Sequence, residues 1–196
     1  MSKVLKPLAR ASARFVVLPA YGLYRLFSMR DNDRRTFASF SQWFSLIPGQ
    51  IGEYLRLEFY RLTLKRCADS CCISFGTIFS TSDVELHENT YIGAYCVIGR
   101  ARIGKNSLVA SRVSTISGIH QHAIDRVDVP IREQRGSFEE VHIGEDCWIG
   151  EGAVVGASIG AHSIVGAGCV VVREVEPYAV MSGNPATLIK SRKTQL

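Results

Sequence analysis

Apolar and polar positions recur along the second half of the chain with a period of about six residues, which is the mark of a solenoid. An aliphatic residue opens each unit, and glycine or alanine usually follows it. Such a unit is too short for a helix and a turn, so it predicts one short strand and one corner, and three units would close a triangular coil. The glycine fits a corner where the backbone needs conformational freedom or comes close to a neighbouring segment. The aliphatic positions are Leu86, Ile92, Ile98, Ile103 and Val109 and, after an interruption, Ile143, Ile149, Val155, Ile159, Val165 and Val171.

The fifth position of each unit holds a small or medium-sized residue, as a second inward-facing position near a corner would require. Cys96, Cys147 and Cys169 fall there, so we interpret them as small buried residues rather than as ligands or nucleophiles. The other three cysteines, in segment 67–72, lack a second C-x-x-C pair and nearby histidines, which argues against a structural zinc site. The fifth-position residues are Thr90, Cys96, Ser107, Val113, Cys147, Ala153, Ser163, Cys169 and Val175.

The pattern divides the chain into parts of different character. They are a helical N-terminal extension at 1–66, a coil domain at 67–190 with an inserted loop at 118–140, and a basic tail at 191–196. Pro48-Gly49 predicts a turn between a helix over 39–47 and a second helix, in which Ile51 and Phe59 follow helical spacing. β-branched residues, glycine, serine and threonine dominate from Ile73, where we expect the coil to start.

Three segments resemble those of the hexapeptide-repeat acyltransferases: VHIGEDCWIG at 141–150, IVGAGCVV at 164–171 and SGNPA at 182–186. The resemblance extends over roughly residues 73–190. It implies a left-handed parallel β-helix that works as a homotrimer, whereas the usual handedness of β-crossovers would predict the opposite hand. Segment 45–67 is similar to the N-terminal extension of members associated with polysaccharide modification.

The loop at 118–140 carries the candidate catalytic residues, and a polar loop of that length is uncommon without a function. Acyl transfer from a thioester to a hydroxyl needs a base, and histidine suits this role near neutral pH. The resemblance implies His120 as the base, because segment 116–122 aligns best with the family's loop histidine at that residue. His122 is the alternative, either as the base or as a neighbour that orients it. Asp125 could accept the other imidazole proton, although a solvated carboxylate is the more common role for such a residue.

The acyl donor implied by the resemblance is acetyl-coenzyme A, extended in a groove between neighbouring coils and held by main-chain groups at the corners. No glycine-rich phosphate loop leads into a helix, so a different grip is required. Val172 stands where sugar acetyltransferases of this family often have threonine, and Thr187 where they often have a basic residue. The turn from Val155 to Ile159 is two residues shorter than a regular unit. The residues carried over from the family are Glu151, Ala167, Val172, Arg173 and Lys190, with Arg173 and Lys190 as partners for the phosphates.

Basic side chains are concentrated at the N terminus, where six lysines and arginines precede the first acid, Asp31, in a chain of net charge +5. They are interleaved with apolar residues over 1–30, a pattern typical of an amphipathic helix on an anionic membrane. The apolar run from Phe15 to Tyr24 is too short to span a bilayer. A helical arm packed on the trimer, with its arginines in solvent, would show the same pattern, so both interpretations stand.

The resemblance, together with the loop histidines, implies an O-acetyltransferase without a metal that transfers acetyl from acetyl-coenzyme A to a carbohydrate hydroxyl in polysaccharide biosynthesis. No signal peptide opens the sequence, so we expect a reduced, cytoplasmic setting, free or peripheral at the inner face of the membrane. One alternative is a γ-class carbonic anhydrase, but its zinc histidines do not assemble in an evident way, and His87, His142 and His162 are interpreted as structural. The other is a non-enzymatic scaffold that works through the N-terminal arm. Nucleic acid is not indicated, since no aromatic-basic motif accompanies the positive charge.

Overall fold

The first part of the molecule is helical. The computed structural model describes residues 5–29 and 33–195. Its helices are α1 (Leu5–Ser28), α2 (Asp33–Ser45) and α3 (Gly49–Thr63). Gly49 adopts a left-handed φ of 70° and forms the predicted turn between α2 and α3. Lys3 and Arg30 of the predicted basic arm lie outside the described residues.

Aromatic packing holds the three helices together. Phe59 of α3 is fully buried and lies at the centre, with the ring of Phe44 from α2 stacked 4.3 Å away. Tyr24 of α1 contacts Phe59 edge to ring at 6.2 Å and Phe37 at 6.3 Å. The predicted arm is therefore a helix that packs on α2 and α3 of its own chain.

Arg56 of α3 joins the helices to the coil. Its side chain is buried and donates one hydrogen bond to the carbonyl of Ile47 at 2.7 Å and another to that of Ile73 at 3.1 Å. A third, longer bond of 3.4 Å reaches the carbonyl of Phe44, near the end of α2 where helical carbonyls lack helix partners. Burial lowers the pKa of Arg56, since a low-polarity environment disfavours the charged form.

The second part is a β-helix of three sheets, which we name faces A, B and C. Face A contains β1, β4, β7 and β10; face B contains β2, β5, β8, β11, β13, β15 and β16; face C contains β3, β6, β9, β12 and β14. All neighbouring strands are parallel except β15 and β16. The strands are β1 (Arg66–Cys67), β2 (Cys72–Ile73), β3 (Ile78–Phe79), β4 (Val84–Leu86), β5 (Tyr91–Ile92), β6 (Val97–Ile98), β7 (Ala101–Ile103), β8 (Leu108–Val109), β9 (Ser114–Thr115), β10 (Val141–Ile143), β11 (Trp148–Ile149), β12 (Val154–Val155), β13 (Ile164–Val165), β14 (Val170–Val171), β15 (Ala179–Ser182) and β16 (Thr187–Ser191).

The predicted repeat is confirmed by burial. All eleven aliphatic positions of the repeat are at most 2% exposed. On face B they stack in register, with Val109 between Ile92 and Ile149. Cys96, Cys147 and Cys169 are buried between the turns, as predicted. The core thus runs along the coil axis, and each turn is stabilised by its neighbours.

Val175 occupies a different position from the one predicted. The spacing of the repeat predicts the fifth position of a regular unit for this residue, but it forms a parallel bridge with Ile159, which in turn bridges Ile143 on face A. Val175 is therefore a first-position residue. Two units in consecutive turns of the coil are therefore shortened, one from Val155 to Ile159 and one from Val171 to Val175. The periodicity of the sequence indicated only the first of them.

The glycines that follow the strands allow neighbouring turns of the coil to stack closely. They do not adopt left-handed backbone angles. A Cβ at Gly150 would lie 2.4 Å from the backbone nitrogen of Ala167 in the next turn, and one at Gly144 would lie 2.4 Å from that of Ala161. Left-handed backbone occurs instead at residues such as Asn106, with φ of 60°. Asparagine tolerates this conformation better than most residues.

Both ends of the coil extend further than predicted. Arg66 and Cys67 pair with β4, so the coil begins before the expected Ile73. Arg66 points outward and binds Glu88 at 2.7 Å, while Cys67 takes the inward position in register with Leu86, so this strand has no aliphatic residue to mark it. At the other end Ser191 belongs to β16, and Arg192–Gln195 form a 3-10 helix, so the described part of the predicted tail folds back on the coil.

The outward positions of the faces differ in character. On face A, charged or polar Glu85, Arg102 and His142 stand in register. On face B, Tyr91, Leu108 and Trp148 stand in register and are 39%, 51% and 54% exposed. We name the latter row the face B ladder. An exposed apolar row of this kind is typical of a surface that another protein covers.

Candidate functional site

The loop that follows β9 leaves the coil between faces C and A and is closed at its root by backbone hydrogen bonds. The N–H of Ser137 donates to the carbonyl of His120 at 2.8 Å, and the N–H of Glu139 donates to that of Ser117 at 3.0 Å. Gly136 allows the two legs to meet, since a Cβ there would lie 2.1 Å from the carbonyl oxygen of Gln121. His120 is therefore placed on a fixed root rather than on the distal part of the loop.

His120 lines two neighbouring cavities. The first, of about 410 Å³, is also lined by Val172 and Arg173, which follow β14 at the same corner of the coil. The second, of about 380 Å³, lies under the loop and is also lined by His122 and Asp125. In the first cavity His120 lies with two of the predicted donor-binding residues, Val172 and Arg173. In the second it lies with the other candidates of the loop, His122 and Asp125.

His122 and Asp125 are placed less centrally than His120. Of these two cavities, both residues line the second and neither lines the first. Among the hydrogen bonds of the described residues, none joins the His120 ring to the Asp125 carboxylate, so the orienting role considered for Asp125 has no contact to support it.

Three carboxylates line the first cavity together with His120, and they were not among the site residues predicted from the sequence. Glu139, Glu140 and Glu174 all line it. Glu140 binds the ring Nε2 of His142 at 2.6 Å, which joins a histidine interpreted as structural to the edge of this cavity. The only sequence signal was that Glu139 and Glu140 directly precede the strand that resumes the coil.

The other predicted donor-binding residues lie at a different corner. Glu151 follows β11 and Ala167 follows β13, both between faces B and C, and both are exposed. The N–H of Gly168 donates to the Glu151 carbonyl at 2.8 Å, and the Glu151 carboxylate forms an ion pair with Arg112. Lys190 lies on β16 opposite Val180 of β15. Within one chain, these residues do not share the cavity of His120.

A third cavity of about 700 Å³ lies along face A beside the two shortened turns. It is lined by Arg102, Lys105 and His142 of the regular turns and shares Ser158 and Glu174 with the first cavity. The lining of His120's cavity is therefore continuous with a groove along the coil. Ser158 and Glu174 belong to the two shortened units. The shortened unit that the sequence shows, from Val155 to Ile159, therefore lies beside this groove.

Within residues 5–29 and 33–195, no three histidine, cysteine, aspartate or glutamate side chains gather as ligands for a metal ion. His162 instead binds Asp146 at 3.1 Å and stacks on Tyr178 with ring centroids 4.8 Å apart. Within a single chain, the described residues therefore do not assemble a set of metal ligands.

Comparison with known proteins identifies the repeat. The model of the hexapeptide repeat of succinyl-transferase matches residues 140–173. A chloramphenicol acetyltransferase of Klebsiella aerogenes is 48% identical over 54 residues, which are 26% of this chain and 26% of that protein. A probable macrolide acetyltransferase of Lysinibacillus sphaericus is 32% identical over 122 residues, 54% of this chain and 65% of that protein. WcaF of Escherichia coli, named a putative colanic acid biosynthesis acetyltransferase, is 29% identical over 97 residues, 48% and 50% of the two chains. The chain thus spans from 26% to 65% of the length of these relatives.

Solved structures share the fold. The hexapeptide-repeat-containing acetyltransferase VCA0836 of Vibrio cholerae superposes with a TM-score of 0.69 at 22% identity, over 82% of this chain and 93% of that chain. The same protein complexed with acetyl-coenzyme A also superposes with a TM-score of 0.69. A galactoside acetyltransferase in complex with coenzyme A superposes with a TM-score of 0.69 at 21% identity, over 81% and 80% of the two chains. These likenesses establish the hexapeptide-repeat β-helix as the fold of this chain.

Proposed function

We propose that this protein is a cytoplasmic acetyltransferase that moves the acetyl group of acetyl-coenzyme A to a hydroxyl of a carbohydrate. The observation that carries the proposal is that His120, fixed on a hydrogen-bonded root, lines two cavities. A base between two compartments suits a reaction that joins a donor to an acceptor without a covalent enzyme intermediate. The chloramphenicol, macrolide and colanic acid relatives all carry acetyltransferase in their names, and the name of the last, which refers to colanic acid biosynthesis, supports a role in polysaccharide biosynthesis.

The proposed reaction needs one base and one site for the developing negative charge. The acceptor oxygen attacks the thioester carbonyl carbon while the His120 imidazole takes the hydroxyl proton. When the tetrahedral intermediate collapses, the carbon–sulfur bond breaks, the acetyl group stays on the acceptor oxygen, and the proton passes to the leaving thiolate. Main-chain N–H groups would stabilise the intermediate oxyanion.

Acetyl-coenzyme A is the proposed donor, and the residues present are compatible with it. Arg173 is an exposed cation in the cavity of His120, and Lys190 is an exposed cation on β16, so either can pair with a phosphate. Glu151 and Ala167 lie at a different corner of the coil. A groove that uses both groups around one donor would therefore have to be completed by a second chain.

A homotrimer is accordingly part of the proposal. The face B ladder supplies an apolar surface for contact between chains. The distal part of the loop adds Ile124 and Val127, which are 73% and 101% exposed and would reach a neighbouring subunit. Light scattering measures the mass directly, and an active particle of one chain, 21.6 kDa, would exclude a site shared between subunits.

The direct test is release of free thiol from acetyl-coenzyme A in the presence of candidate acceptors. Oligosaccharides and lipid-linked sugars are the first acceptors to screen, with chloramphenicol as a non-carbohydrate comparison. Acceptor-dependent thiol release with a sugar supports the proposal. Release with chloramphenicol alone would retain the acetyltransferase and reject the carbohydrate, whereas no release with any acceptor would favour the scaffold alternative.

A further inference from the structure

The outer half of α1 is an unpartnered apolar surface. The helix packs on α2 and α3 through Val17 and Tyr24, which are buried and lie on one side. On the opposite side, six large apolar residues are 45–78% exposed: Phe15, Val16, Leu18, Leu23, Leu26 and Phe27. At 3.6 residues per turn they cover about half of the circumference of the helix. This half of the helix contains no charged residue, whereas the outward half of an ordinary surface helix is polar.

Two arginines of α1 lie at one margin of this apolar surface, whereas Arg10 turns to the packed side and pairs with Asp69 at 4.0 Å. Arg14 and Arg25 are both exposed, and they are about three turns apart, so they stand on the same edge of the helix. The sequence of α1 contains no acidic residue, and the first acid of the chain is Asp31. An apolar surface with a one-sided basic margin is complementary to a layer that is apolar inside and anionic at its surface.

We propose that α1 binds an anionic lipid bilayer with its axis in the plane of the membrane. The six apolar side chains enter the boundary between headgroups and acyl chains, and the arginines contact the headgroup phosphates. No helix within the described residues combines the length and apolarity needed to cross a bilayer. With 24 residues, α1 is about 36 Å long and offers this surface without unfolding from α2 and α3.

A second copy of the chain suits this surface less well. Pairing two copies of α1 would add the exposed Arg14 and Arg25 of both to one interface, and α1 supplies no carboxylate to neutralise them. Anionic headgroups provide that neutralisation. The proposal concerns binding of lipid in the absence of donor and acceptor, so it stands or fails independently of the proposed acetyl transfer.

The test measures co-sedimentation of the full chain with vesicles of equal parts phosphatidylcholine and phosphatidylglycerol. The F15Q/L26Q variant removes apolar surface without changing the net charge, and we expect it to bind at least about tenfold more weakly. The matched control F15L/L26F keeps an apolar residue at both positions and should bind as the unmodified protein does. The R14Q/R25Q variant should bind more weakly at low salt and lose less binding as salt rises, because fewer screened charges contribute.

Light scattering of the same variants distinguishes a membrane surface from a protein interface. The proposal expects an unchanged particle mass for F15Q/L26Q together with weakened binding to vesicles. If F15Q/L26Q sediments with vesicles as well as F15L/L26F does, the proposal is wrong. If the double glutamine change lowers the particle mass and leaves lipid binding intact, the surface is an interface between copies.

Discussion

Replacement of Arg56 by methionine should destabilise the junction between the helices and the coil. The variant R56M keeps an unbranched side chain but removes the donors to the carbonyls of Ile47 and Ile73. A buried polar group left without a partner costs about 1–3 kcal/mol, so two such groups give about 2–6 kcal/mol. Two effects reduce this cost: the variant no longer buries a charge, and the carbonyl of Ile47 belongs to a half-buried residue. We therefore expect the free energy of unfolding to fall by about 3 kcal/mol.

The assay is denaturant unfolding followed by fluorescence of the two tryptophans. Trp43 reports on α2 and Trp148 on face B of the coil, so single-tryptophan variants follow the two parts separately. The exposed Arg35 on α2 supplies the matched control R35M, which should change stability by no more than about 0.5 kcal/mol. If R56M unfolds at the same denaturant concentration as R35M at both tryptophans, Arg56 does not hold the parts together.

Three further predictions concern the loop, a thiol and the assembly. G136A should lower turnover at least about tenfold with an unchanged melting temperature, since the Cβ would lie 2.1 Å from Gln121 O and part the legs of the loop that hold His120. Cys72 should alkylate slowly at pH 9.0, since burial and the carboxylate of Glu53 raise the pKa of its thiol from 9.0 to about 12, and E53Q should speed the reaction in peptide mapping. The raised pKa means that Cys72 contributes stability below pH 9.0 that is lost as the pH rises toward about 12. W148E should lower the mass seen by light scattering, whereas R102Q on face A should not.

Each of these predictions has an outcome that contradicts it. Full activity in G136A would show that the root of the loop does not need the close approach seen at Gln121. Alkylation of Cys72 at the rate of a free thiol would contradict the effect of burial and Glu53. An unchanged mass for W148E would show that the face B ladder is not the contact between chains.

The interior of the coil could be predicted from the sequence because it depends on local spacing. Each inward position is set by its place in a unit of about six residues, so aliphatic residues such as Ile92 and Ile149 are recognisable one by one. The prediction failed where a unit is shortened, as before Val175, and where the inward position holds no aliphatic residue, as at Cys67 of β1. In both cases the deciding information is the pairing of strands that are distant in sequence.

The candidate site was predictable only in part for the same reason. The polar loop and its histidines stand out in the sequence, but the neighbours of His120 come from other turns of the coil, as Val172 and Arg173 do. Glu174 lines the same cavity and lies in a shortened turn whose alignment was missed. The role of Arg56 could not be predicted either, because a basic residue within a helix is expected to be exposed. Its burial depends on three backbone carbonyls that come together only in the folded chain.

The apolar surface of α1 shows how the structure refines the interpretation of the N-terminal sequence pattern. The sequence allowed a packed arm or a membrane helix as alternatives. In the structure Val17 and Tyr24 pack inward while Phe15 and Leu26 face outward. The helix therefore packs on its own chain and still presents an apolar surface, so the alternatives are compatible with each other.

Turnover of three proteins in the thiol-release assay, the unmodified chain, H120A and H122A, tests the central claim most directly. With a saturating acceptor, H120A should turn over at least about 100-fold more slowly, as loss of a general base requires. Its binding of acetyl-coenzyme A and its melting temperature should be unchanged, because His120 is exposed and its backbone carbonyl, not its ring, holds the root of the loop. H122A should keep most of its activity, since His122 lines only the second cavity. Loss of activity in H122A with H120A still active would contradict the assignment of the base, and full activity in both would contradict a site at this loop.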